Sequence, residues 1–462
     1  MKCQPTTKSH RLASSVAVLL AYASLSVLQA DPIDLPNPYN LLNQPRLAGE
    51  FLGYRPKAET NGVVLSLQSV SDTLGNTTGG ASQGGTYSGL LNLGLAVDLQ
   101  KAVGWDGASF KNTWLWLYGN DVSTKYIGNA LTASTIAGSP AFRCYELWFQ
   151  QDLFHDVVSL RGGLIPFDTE FMISDTANLF LNTAFGPMAL ITLNLPNGGP
   201  QYPMATPGIR LALQPTSWLT LRTAFMQANP FGQVNNLHNF DWNFGPVGGL
   251  LNINEAAVTW NKDPGAKGLP GSAKVGCWFQ TEEGQVSDGV PNLSYGSPVA
   301  VGYSSGFYGI IDQQLYTPST KATDTGSGKN PVFSGKDATP ANDSSSKGLS
   351  AFVQVGCDPQ EDNISSFYFS HGLVYTGLIP SRDADKLGLS FGYAQMSNYV
   401  QNKVTEAGVP GASFEGVAEL TYSIRVAPAI AIQPDLQYIL HPSGTQQYGN
   451  ALVIGARAVV DF

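Results

Sequence analysis

The most regular feature of the chain is an alternation of apolar and polar side chains with a period of two. Between residues 87 and 100, apolar side chains occupy every odd position from Leu91 to Leu99, whereas Asn92 and Asp98 fall on the opposite face. This alternation is typical of a β-strand with one apolar face. The same pattern recurs in the segments 217–228 and 414–426.

About sixteen segments of this kind can be delimited. Each has about nine to eleven residues or slightly more, the length that a tilted strand needs to cross a bilayer. They are 62–71, 85–98, 109–120, 141–152, 157–165, 207–214, 217–228, 247–260, 271–281, 303–316, 348–357, 364–377, 386–397, 414–426, 430–440 and 450–462. Aromatic residues near their ends fit the interfacial girdles of membrane barrels; these are Tyr118, Trp260, Tyr308, Tyr316, Phe367, Tyr393, Tyr422 and Tyr438.

The predicted connections alternate between short and long. Short turns on one side of a sheet and long loops on the other are typical of a transmembrane β-barrel. The connection 317–347 is an exception, because it is long and falls on the side of the short turns. It is either an insertion there or a sign that the strand count is wrong by one. The short turns are 154–156, 215–216 and 427–429, and the long loops are 122–140, 166–206, 229–246, 282–302 and 398–413.

The C-terminal segment ends in an apolar row that closes on phenylalanine. Ile454, Ala458 and Phe462 lie in this row, whereas Arg457 and Asp461 point to the other side. A terminal phenylalanine of this kind is the assembly signal of bacterial outer-membrane barrels. The sequence therefore predicts an all-β protein, a transmembrane antiparallel β-barrel of about 16 strands with long loops on one side.

Composition narrows the function classes. Of 462 residues, 13% are charged and 50 are glycine, and the net charge is −9. A pI near 5.0 gives no basic surface for nucleic acid. The mean hydropathy of −0.04 and the lack of 18 consecutive apolar residues argue against a helical membrane protein.

The first thirty residues predict a signal peptide. Three cationic residues precede the uncharged apolar stretch 16–23. Cleavage is expected after Ala30, with Ala23 as the alternative site, and an N-terminal membrane anchor is the competing interpretation. Removing three positive charges from a chain of net charge −9 leaves −12. The predicted division is a signal peptide at 1–30, an N-terminal periplasmic or lumenal segment at 31–61 and the barrel at 62–462.

Motifs for metals, cofactors and catalysis are weak. Cys144, Cys277 and Cys357 are far apart, and the last two are expected to be small apolar residues on the outward face. The G-x-S-x-G pattern at 302–306 precedes a predicted strand, whereas a nucleophile elbow needs a strand-to-helix turn. No EF-hand spacing supports calcium. We therefore expect no enzyme, no metal and no cofactor.

Several segments resemble the carbohydrate-selective porins of the OprB type. The most specific are 350–385 (SAFVQVGCDPQEDNISSFYFSHGLVYTGLIPSRDAD), 433–444 (QPDLQYILHPSG) and the terminal strand NALVIGARAVVDF; weaker matches are 74–80, 145–153, 161–171 and 179–186. The resemblance implies a porin of the bacterial outer membrane that lets mono- or small oligosaccharides diffuse passively. The implied partners are sugars, the lipid bilayer with lipopolysaccharide, and the barrel assembly machinery. Monomer and homotrimer remain open.

A sugar-selective pore needs a narrow waist whose side chains replace the hydration of the sugar. Carboxylates and amides accept hydrogen bonds from hydroxyl groups, arginine donates through a planar fork, and aromatic faces stack on sugar rings. The resemblance to porins implies that the loop 166–206, which follows the fifth predicted strand, is an inward-folded constriction loop. Inward positions beside this loop and on the far wall supply the candidates. They are Glu146, Trp148, Gln150, Arg161, Asp168, Glu170, Arg210, Trp218, Arg222, Asp435, Gln437 and Arg457.

Each candidate has a simpler interpretation as a generic polar residue of a water-filled barrel. Arg161, Arg210 and Arg222 share the inward parity on three neighbouring strands, so carboxylates are expected beside them. The alternative functions are a general or cation-preferring porin for small hydrophilic solutes and, more remotely, an outer-membrane barrel enzyme or adhesin. Block of the channel conductance by sugars would separate the first two classes.

Overall fold

The computed structural model describes residues 43–242, 248–263, 265–281, 284–286, 299–301, 303–318 and 347–462. The predicted signal peptide, both of its candidate cleavage sites and the first part of the segment 31–61 lie outside these ranges.

Eighteen strands occur in the described residues, and sixteen of them form one closed barrel. The other two, β10 and β11, form a separate hairpin. The strands are β1 Val63–Gly80, β2 Gly84–Asp98, β3 Ala108–Gly119, β4 Ala141–Leu153, β5 Val158–Ile165, β6 Thr206–Thr216, β7 Leu219–Gln227, β8 Leu250–Trp260, β9 Gly271–Gln280, β10 Gly284–Val286, β11 Val299–Val301, β12 Ser305–Tyr316, β13 Gly348–Cys357, β14 Ser365–Thr376, β15 Lys386–Met396, β16 Phe414–Ala427, β17 Ile430–Leu440 and β18 Gly449–Asp461.

Helices are few and short. None in the described part of the chain has the length and apolar character needed to cross a membrane. The α-helices are α1 Tyr54–Thr60, α2 Leu99–Val103, α3 Ala189–Asn194 and α4 Asn398–Glu406. Single helical turns occur at Ser123–Ile127, Phe167–Thr169, Ala177–Leu179, Thr183–Phe185, Pro196–Gly198 and Pro442–Gly444.

Every barrel strand pairs antiparallel with its two neighbours, and the barrel closes where β1 pairs with β18. Because the barrel is closed, its strands have no exposed edge, and their backbone N–H and C=O groups are paired as the interior of a bilayer requires. The predicted fold class is confirmed, and each of the sixteen predicted segments corresponds to a barrel strand. The main difference is β1, which continues to Gly80 instead of ending at residue 71.

The alternation predicted from the sequence determines which side chains face the lumen. In β17 the inward Gln433, Asp435 and Gln437 are buried, whereas the outward Ile432 and Tyr438 are exposed. The apolar face is therefore the outer one, as expected for a wall that contacts lipid. Cys277 and Cys357 flank the exposed Phe307 on the outer face, as predicted.

Tyr308 corrects the predicted aromatic girdle. Its side chain is buried and points into the lumen, because it lies beside the outward Phe307 and has the opposite parity. A tyrosine near the beginning of a strand belongs to the membrane interface only where its parity is outward. Tyr308 instead contributes to the candidate site described below.

The two ends of the barrel differ. We call the end that carries the connections 154–157 and 428–429 the turn end, and the opposite end the loop end. The connection from β12 to β13 lies at the turn end, because each strand of the closed barrel reverses the direction of the one before it. The predicted strand count is therefore right, and 317–347 is an insertion at the turn end. Most of it, 319–346, lies outside the described residues.

Two long connections from the loop end fold into the barrel. We call residues 120–140, between β3 and β4, the first inner loop, and residues 166–205, between β5 and β6, the second inner loop. Phe180 and Phe185 of the second inner loop pack against Phe352 of β13, with ring centroids 5.8 and 6.2 Å from that of Phe352. Much of the apolar core therefore lies inside the barrel, between these loops and the wall.

Candidate functional site

Four polar side chains on neighbouring strands and the second inner loop meet at one place on the lumenal wall. Together with Trp148 they are called the arginine cluster: Trp148 and Gln150 of β4, Arg161 of β5, Glu170 of the loop and Arg210 of β6. Arg161 pairs in register with both Gln150 and Arg210. All five had been predicted as candidates from strand parity and from the beginning of the loop.

Glu170 joins the two guanidinium groups. Arg210 donates from Nε and Nη2 to the two carboxylate oxygens of Glu170 over 2.7 and 2.9 Å. Arg161 Nη1 lies 3.1 Å from Glu170 Oε1. Gln150 Oε1 accepts further bonds from Arg161 Nε (3.0 Å) and Arg210 Nη2 (2.8 Å). Two like charges placed opposite each other on adjacent strands are thus compensated by one carboxylate and one amide.

Burial and charge act in opposite directions on Glu170. Burial alone would raise the pKa of its carboxyl group, but the positive charges of Arg161 and Arg210 outweigh it and hold the pKa below its ordinary value. The Glu170 side chain is 10% exposed, and those of Arg161 and Arg210 are 9% and 3% exposed. With two guanidiniums and one ionised carboxylate, the cluster carries a formal charge of +1.

The ring of Trp148 packs against the guanidinium group of Arg161. The guanidinium carbon of Arg161 lies 3.8 Å from the centroid of the Trp148 ring, close enough for a cation–π interaction. Gly163, the in-register partner of Trp148, has a positive φ of 142°, and a Cβ atom there would come within 2.7 Å of Trp148 Cα. A glycine is therefore required for the close approach of β5 to β4 at this point.

Glu146 lies next to the cluster on the same strand. Its carboxylate accepts hydrogen bonds from Thr113 Oγ1 (2.9 Å) and Trp148 Nε1 (3.1 Å), and Lys111 Nζ lies 2.8 Å away. Lys111 was not among the predicted candidates, although its inward parity on β3 could have identified it.

A second ion pair joins Arg222 and Glu255, which are in-register partners on β7 and β8. Arg222 Nη1 donates to Glu255 Oε1 over 3.0 Å. Glu255 Oε2 also accepts from Tyr308 Oη and from the backbone N–H of Met172, each over 3.0 Å. The Arg222 side chain is 24% exposed, so it is more accessible than the two arginines of the cluster. Glu255 was not among the predicted candidates, although its inward parity and its position on the strand next to Arg222 could have identified it.

Trp218 and Asp168 lie elsewhere than predicted. Trp218 precedes β7 in a tight turn, where the chain leaves the strand pattern that its parity assumed, and it is largely exposed. Asp168 is fully buried and accepts hydrogen bonds from Tyr145 Oη (2.9 Å) and the backbone N–H of Tyr202 (3.2 Å). It holds the beginning of the second inner loop instead of facing the arginines.

The far-wall candidates face inward, and two of them, Gln437 and Arg457, are connected to the inner loops. Arg457 forms two hydrogen bonds of 2.8 Å with Asp72 across the β1–β18 seam, and Asp72 accepts from Ser134 of the first inner loop. Gln437 donates to the backbone oxygen of Ala133 and accepts from Asn182 Nδ2. Asp435 accepts a hydrogen bond from Gln437 Nε2 over 2.8 Å.

Two buried glutamates on β16 also hold these loops. Glu415 accepts hydrogen bonds from the backbone N–H groups of Ala130 (2.8 Å) and Leu131 (2.7 Å) in the first inner loop. Glu419 accepts from those of Leu181 (2.6 Å) and Asn182 (2.9 Å) in the second. Neither glutamate was predicted, because polar inward positions on a strand do not reveal which loop will reach them.

Arg143 was missed for a different reason. In the pairing of β3 with β4, Thr113 faces Glu146 but Trp114 faces Cys144, so that Tyr145 is an extra residue in a β-bulge. The bulge reverses the parity of the preceding residues and turns Arg143 inward, where it is fully buried. A strict period of two places Arg143 on the outer face.

In the described ranges, no group of three or more histidine, cysteine, aspartate or glutamate side chains is arranged to hold a metal ion. The polar side chains of the lumen instead offer paired donors and acceptors, which suits a solute rich in hydroxyl groups.

Comparisons with known proteins agree with this geometry. The family profile described as "Carbohydrate-selective porin, OprB family" matches residues 82–462. Porin B of Pseudomonas aeruginosa is 24% identical over 451 residues, which cover 91% of this chain and 92% of Porin B. The putative porin QuiX of Acinetobacter baylyi is 23% identical over 483 residues, which cover 96% of this chain and 99% of QuiX.

Among solved structures, that of Pseudomonas putida OprB at high pH matches this fold with a TM-score of 0.75 and 22% identity, covering 91% of this chain and 99% of that one. The family profile spans most of the sixteen-stranded barrel, including the strands that carry the arginine cluster. The chain belongs to the carbohydrate-selective porin (OprB) family and is an integral porin of the bacterial outer membrane.

Proposed function

We propose that this porin lets neutral sugars diffuse passively past a constriction formed by the arginine cluster and the Arg222–Glu255 pair. The observation that carries the proposal is the position of Glu170, which belongs to the second inner loop and binds two arginines on β5 and β6, the strands that the loop connects. The loop and the wall therefore meet where donors and acceptors are concentrated.

Such a constriction discriminates by chemistry as well as by width. Guanidinium groups donate to sugar hydroxyls, and carboxylate and amide oxygens accept from them. Each contact replaces one with water, so its net contribution is about 0.5–1.5 kcal/mol. Weak contacts of this size favour entry without trapping the solute, as conduction requires. Because cations and acceptors lie side by side, neither sign of ion is attracted strongly.

Passive diffusion predicts uptake without an energy source. Proteoliposomes containing the purified porin are expected to swell in isotonic glucose and in other small neutral sugars, and to swell more slowly in charged solutes of similar size. The rate should not depend on a proton gradient across the vesicle membrane. Equal rates for neutral and charged solutes would support a general porin, and transport only with an energising partner would refute the channel mechanism.

The proposal contains no catalytic step. Ser304, the serine of the G-x-S-x-G pattern, directly precedes β12. Its hydroxyl donates to Asp358 Oδ2 over 2.8 Å and accepts from Trp278 Nε1 over 2.9 Å. These contacts give the serine a structural role, since they tie together the loop-end connections on either side of β12 and β13.

We also propose that residues 31–61 form a separate N-terminal segment and that the barrel begins at 62. The part described, 43–61, lies at the turn end beside the C-terminus. The backbone N–H of Leu47 donates to the carbonyl of Asp461 over 2.7 Å, and Arg55 Nη2 donates to that of Phe462 over 3.2 Å. The segment thus lies against the closing strand of the barrel.

Deletion of Phe462 is expected to reduce assembly. The backbone N–H of Phe462 donates to the carbonyl of Leu67 over 2.9 Å, which extends the β1–β18 closure, and the terminal aromatic residue is the proposed signal for the assembly machinery. The deletion variant should be exported but yield little heat-modifiable, folded barrel in outer-membrane fractions. Phe462→Tyr, which keeps a terminal aromatic ring, is the matched control. Wild-type levels of folded deletion variant would contradict the prediction.

A further inference from the structure

A cavity of about 490 Å³ lies between the two inner loops near the loop end of the barrel. Its volume is within the range of about 300–1,000 Å³ that is typical of small-molecule sites. The lining comes from the end of β3, from both inner loops, and from Gln233 of the connection between β7 and β8. We call this cavity the vestibule.

The vestibule is built where the two inner loops pair with each other. The backbone N–H of Thr183 donates to the carbonyl of Thr132 over 2.9 Å, and that of Thr135 donates to the carbonyl of Leu181 over 2.7 Å. These bonds place the side chains of Thr132, Thr135 and Thr183 along one wall of the cavity. Within the ranges that the structure describes, these three hydroxyls have no hydrogen-bond partner.

The rest of the lining combines fixed polar groups with small apolar ones. Gln201 Nε2 donates to Thr192 Oγ1 over 2.7 Å, and Gln233 Oε1 accepts from the backbone N–H of Ser139 over 2.7 Å. Ala137 and Leu193 supply apolar surface. A hydroxyl group both donates and accepts, and so do the hydroxyls of a sugar, whose C–H face suits the apolar part of the lining.

The two carboxylates of the lining are already engaged. Asp168 accepts from Tyr145 and Tyr202. Asp121 accepts from the backbone N–H and the hydroxyl of Thr124, and Lys125 Nζ lies 5.4 Å from the centroid of the Tyr126 ring. Apart from the exposed Lys125, the groups that remain for a ligand are neutral, which favours a polyol over an organic cation.

We propose that the vestibule is an entrance subsite that binds one neutral sugar before it reaches the constriction. The inference rests on the proposed function, because it assumes that sugars pass this way. Asp168 lines the vestibule, and Glu170, two residues further along the same loop, binds the arginines of the cluster. The second inner loop therefore contributes residues both to the vestibule and to the constriction.

The test is block of single-channel current by glucose added separately to each side of a planar bilayer. The double variant Thr132→Val/Thr183→Val removes two hydroxyls without changing side-chain size. We expect it to raise the glucose concentration for half-maximal block from the loop end about tenfold, since each lost hydrogen bond has a modest net value, and to leave the open-channel conductance and ion preference unchanged.

Thr259→Val is the matched control, because Thr259 shares the inward parity of Glu255 on β8 but lies towards the turn end. It should leave glucose block from the loop end unchanged. The proposal would be overturned if the glucose concentration for half-maximal block were unchanged in the double variant, or if the control raised it equally. Stronger block of the wild-type channel by gluconate than by glucose would overturn the preference for a neutral ligand. If glucose does not block the wild-type channel at all, the proposed sugar selectivity itself fails. Heat-modifiable migration verifies that both variants are folded.

Discussion

Replacing Glu170 with glutamine is expected to convert the channel to a clear preference for anions. The arginine cluster has a formal charge of +1 because one carboxylate lies between two guanidiniums. The amide raises this charge to +2 and leaves Arg161 and Arg210 opposite each other across β5 and β6. Removing one partner of a buried ion pair costs about 3–5 kcal/mol. The measurement is the zero-current potential of single channels in a KCl gradient.

The reciprocal variant provides the control. Arg210→Ala removes one positive charge and leaves Glu170 paired with Arg161, so its zero-current potential should shift toward cations. The double variant Glu170→Gln/Arg210→Gln restores the formal charge of +1 and is expected to return close to the wild-type preference. Arg222 is paired with Glu255, and its positive charge also acts on Glu170, so Arg222→Ala should shift the potential in the same direction as Arg210→Ala. Unchanged potentials in both single variants would show that the cluster lies outside the ion path.

The barrel could be predicted almost completely from the sequence. Its strands must present apolar side chains to lipid and polar ones to the lumen, and that requirement imposes the alternation on every strand. β17 shows the result, with Gln433, Asp435 and Gln437 inward and Ile432 outward. The strand order follows from the same argument, because antiparallel strands joined in sequence and closed into a barrel have only one simple arrangement.

The site could be predicted only in part. Parity identified Gln150, Arg161 and Arg210 as inward, but it does not give the depth of a residue or the loop that covers it. The β-bulge at Tyr145 reverses the parity on one side of it, and Arg143 was missed for this reason. On the far wall, Gln437 and Arg457 face inward as parity predicts, but they are connected to the inner loops. The arginine cluster lies on β4, β5 and β6 instead.

These attachments explain how a wide barrel acquires a narrow passage. A barrel of sixteen or more strands leaves an aqueous channel unless something enters it. Here the two inner loops enter it and are held by polar side chains of several strands. Asp312 of β12 binds Ser174 Oγ over 2.6 Å, and Glu415 and Glu419 of β16 bind backbone N–H groups of both loops. The polar side chains that face inward therefore hold the loops in position, in addition to lining the lumen.

The double variant Glu415→Ala/Glu419→Ala is expected to widen the channel. Alanine leaves the backbone N–H groups of Ala130, Leu131 and Leu181 without their carboxyl acceptors, and a buried donor that loses its partner costs about 1–3 kcal/mol. Both loops should then leave their positions for part of the time. Single-channel recordings are expected to show a severalfold larger conductance, noisier open states and loss of glucose block, with the barrel still closed because its strand pairing is unaffected.

Two controls separate loop release from a change in lumenal charge. Asp461→Asn neutralises another buried carboxylate, but its side chain accepts from Gln68 at the turn end and not from an inner loop. This variant should keep the wild-type conductance. Glu415→Gln/Glu419→Gln retains one acceptor oxygen at each position and should give an intermediate conductance, whereas an effect of charge alone would make the Gln and Ala variants equal. Wild-type conductance and glucose block in the Ala variant would show that apolar packing of residues such as Phe180 and Phe185 holds the loops without the carboxylates.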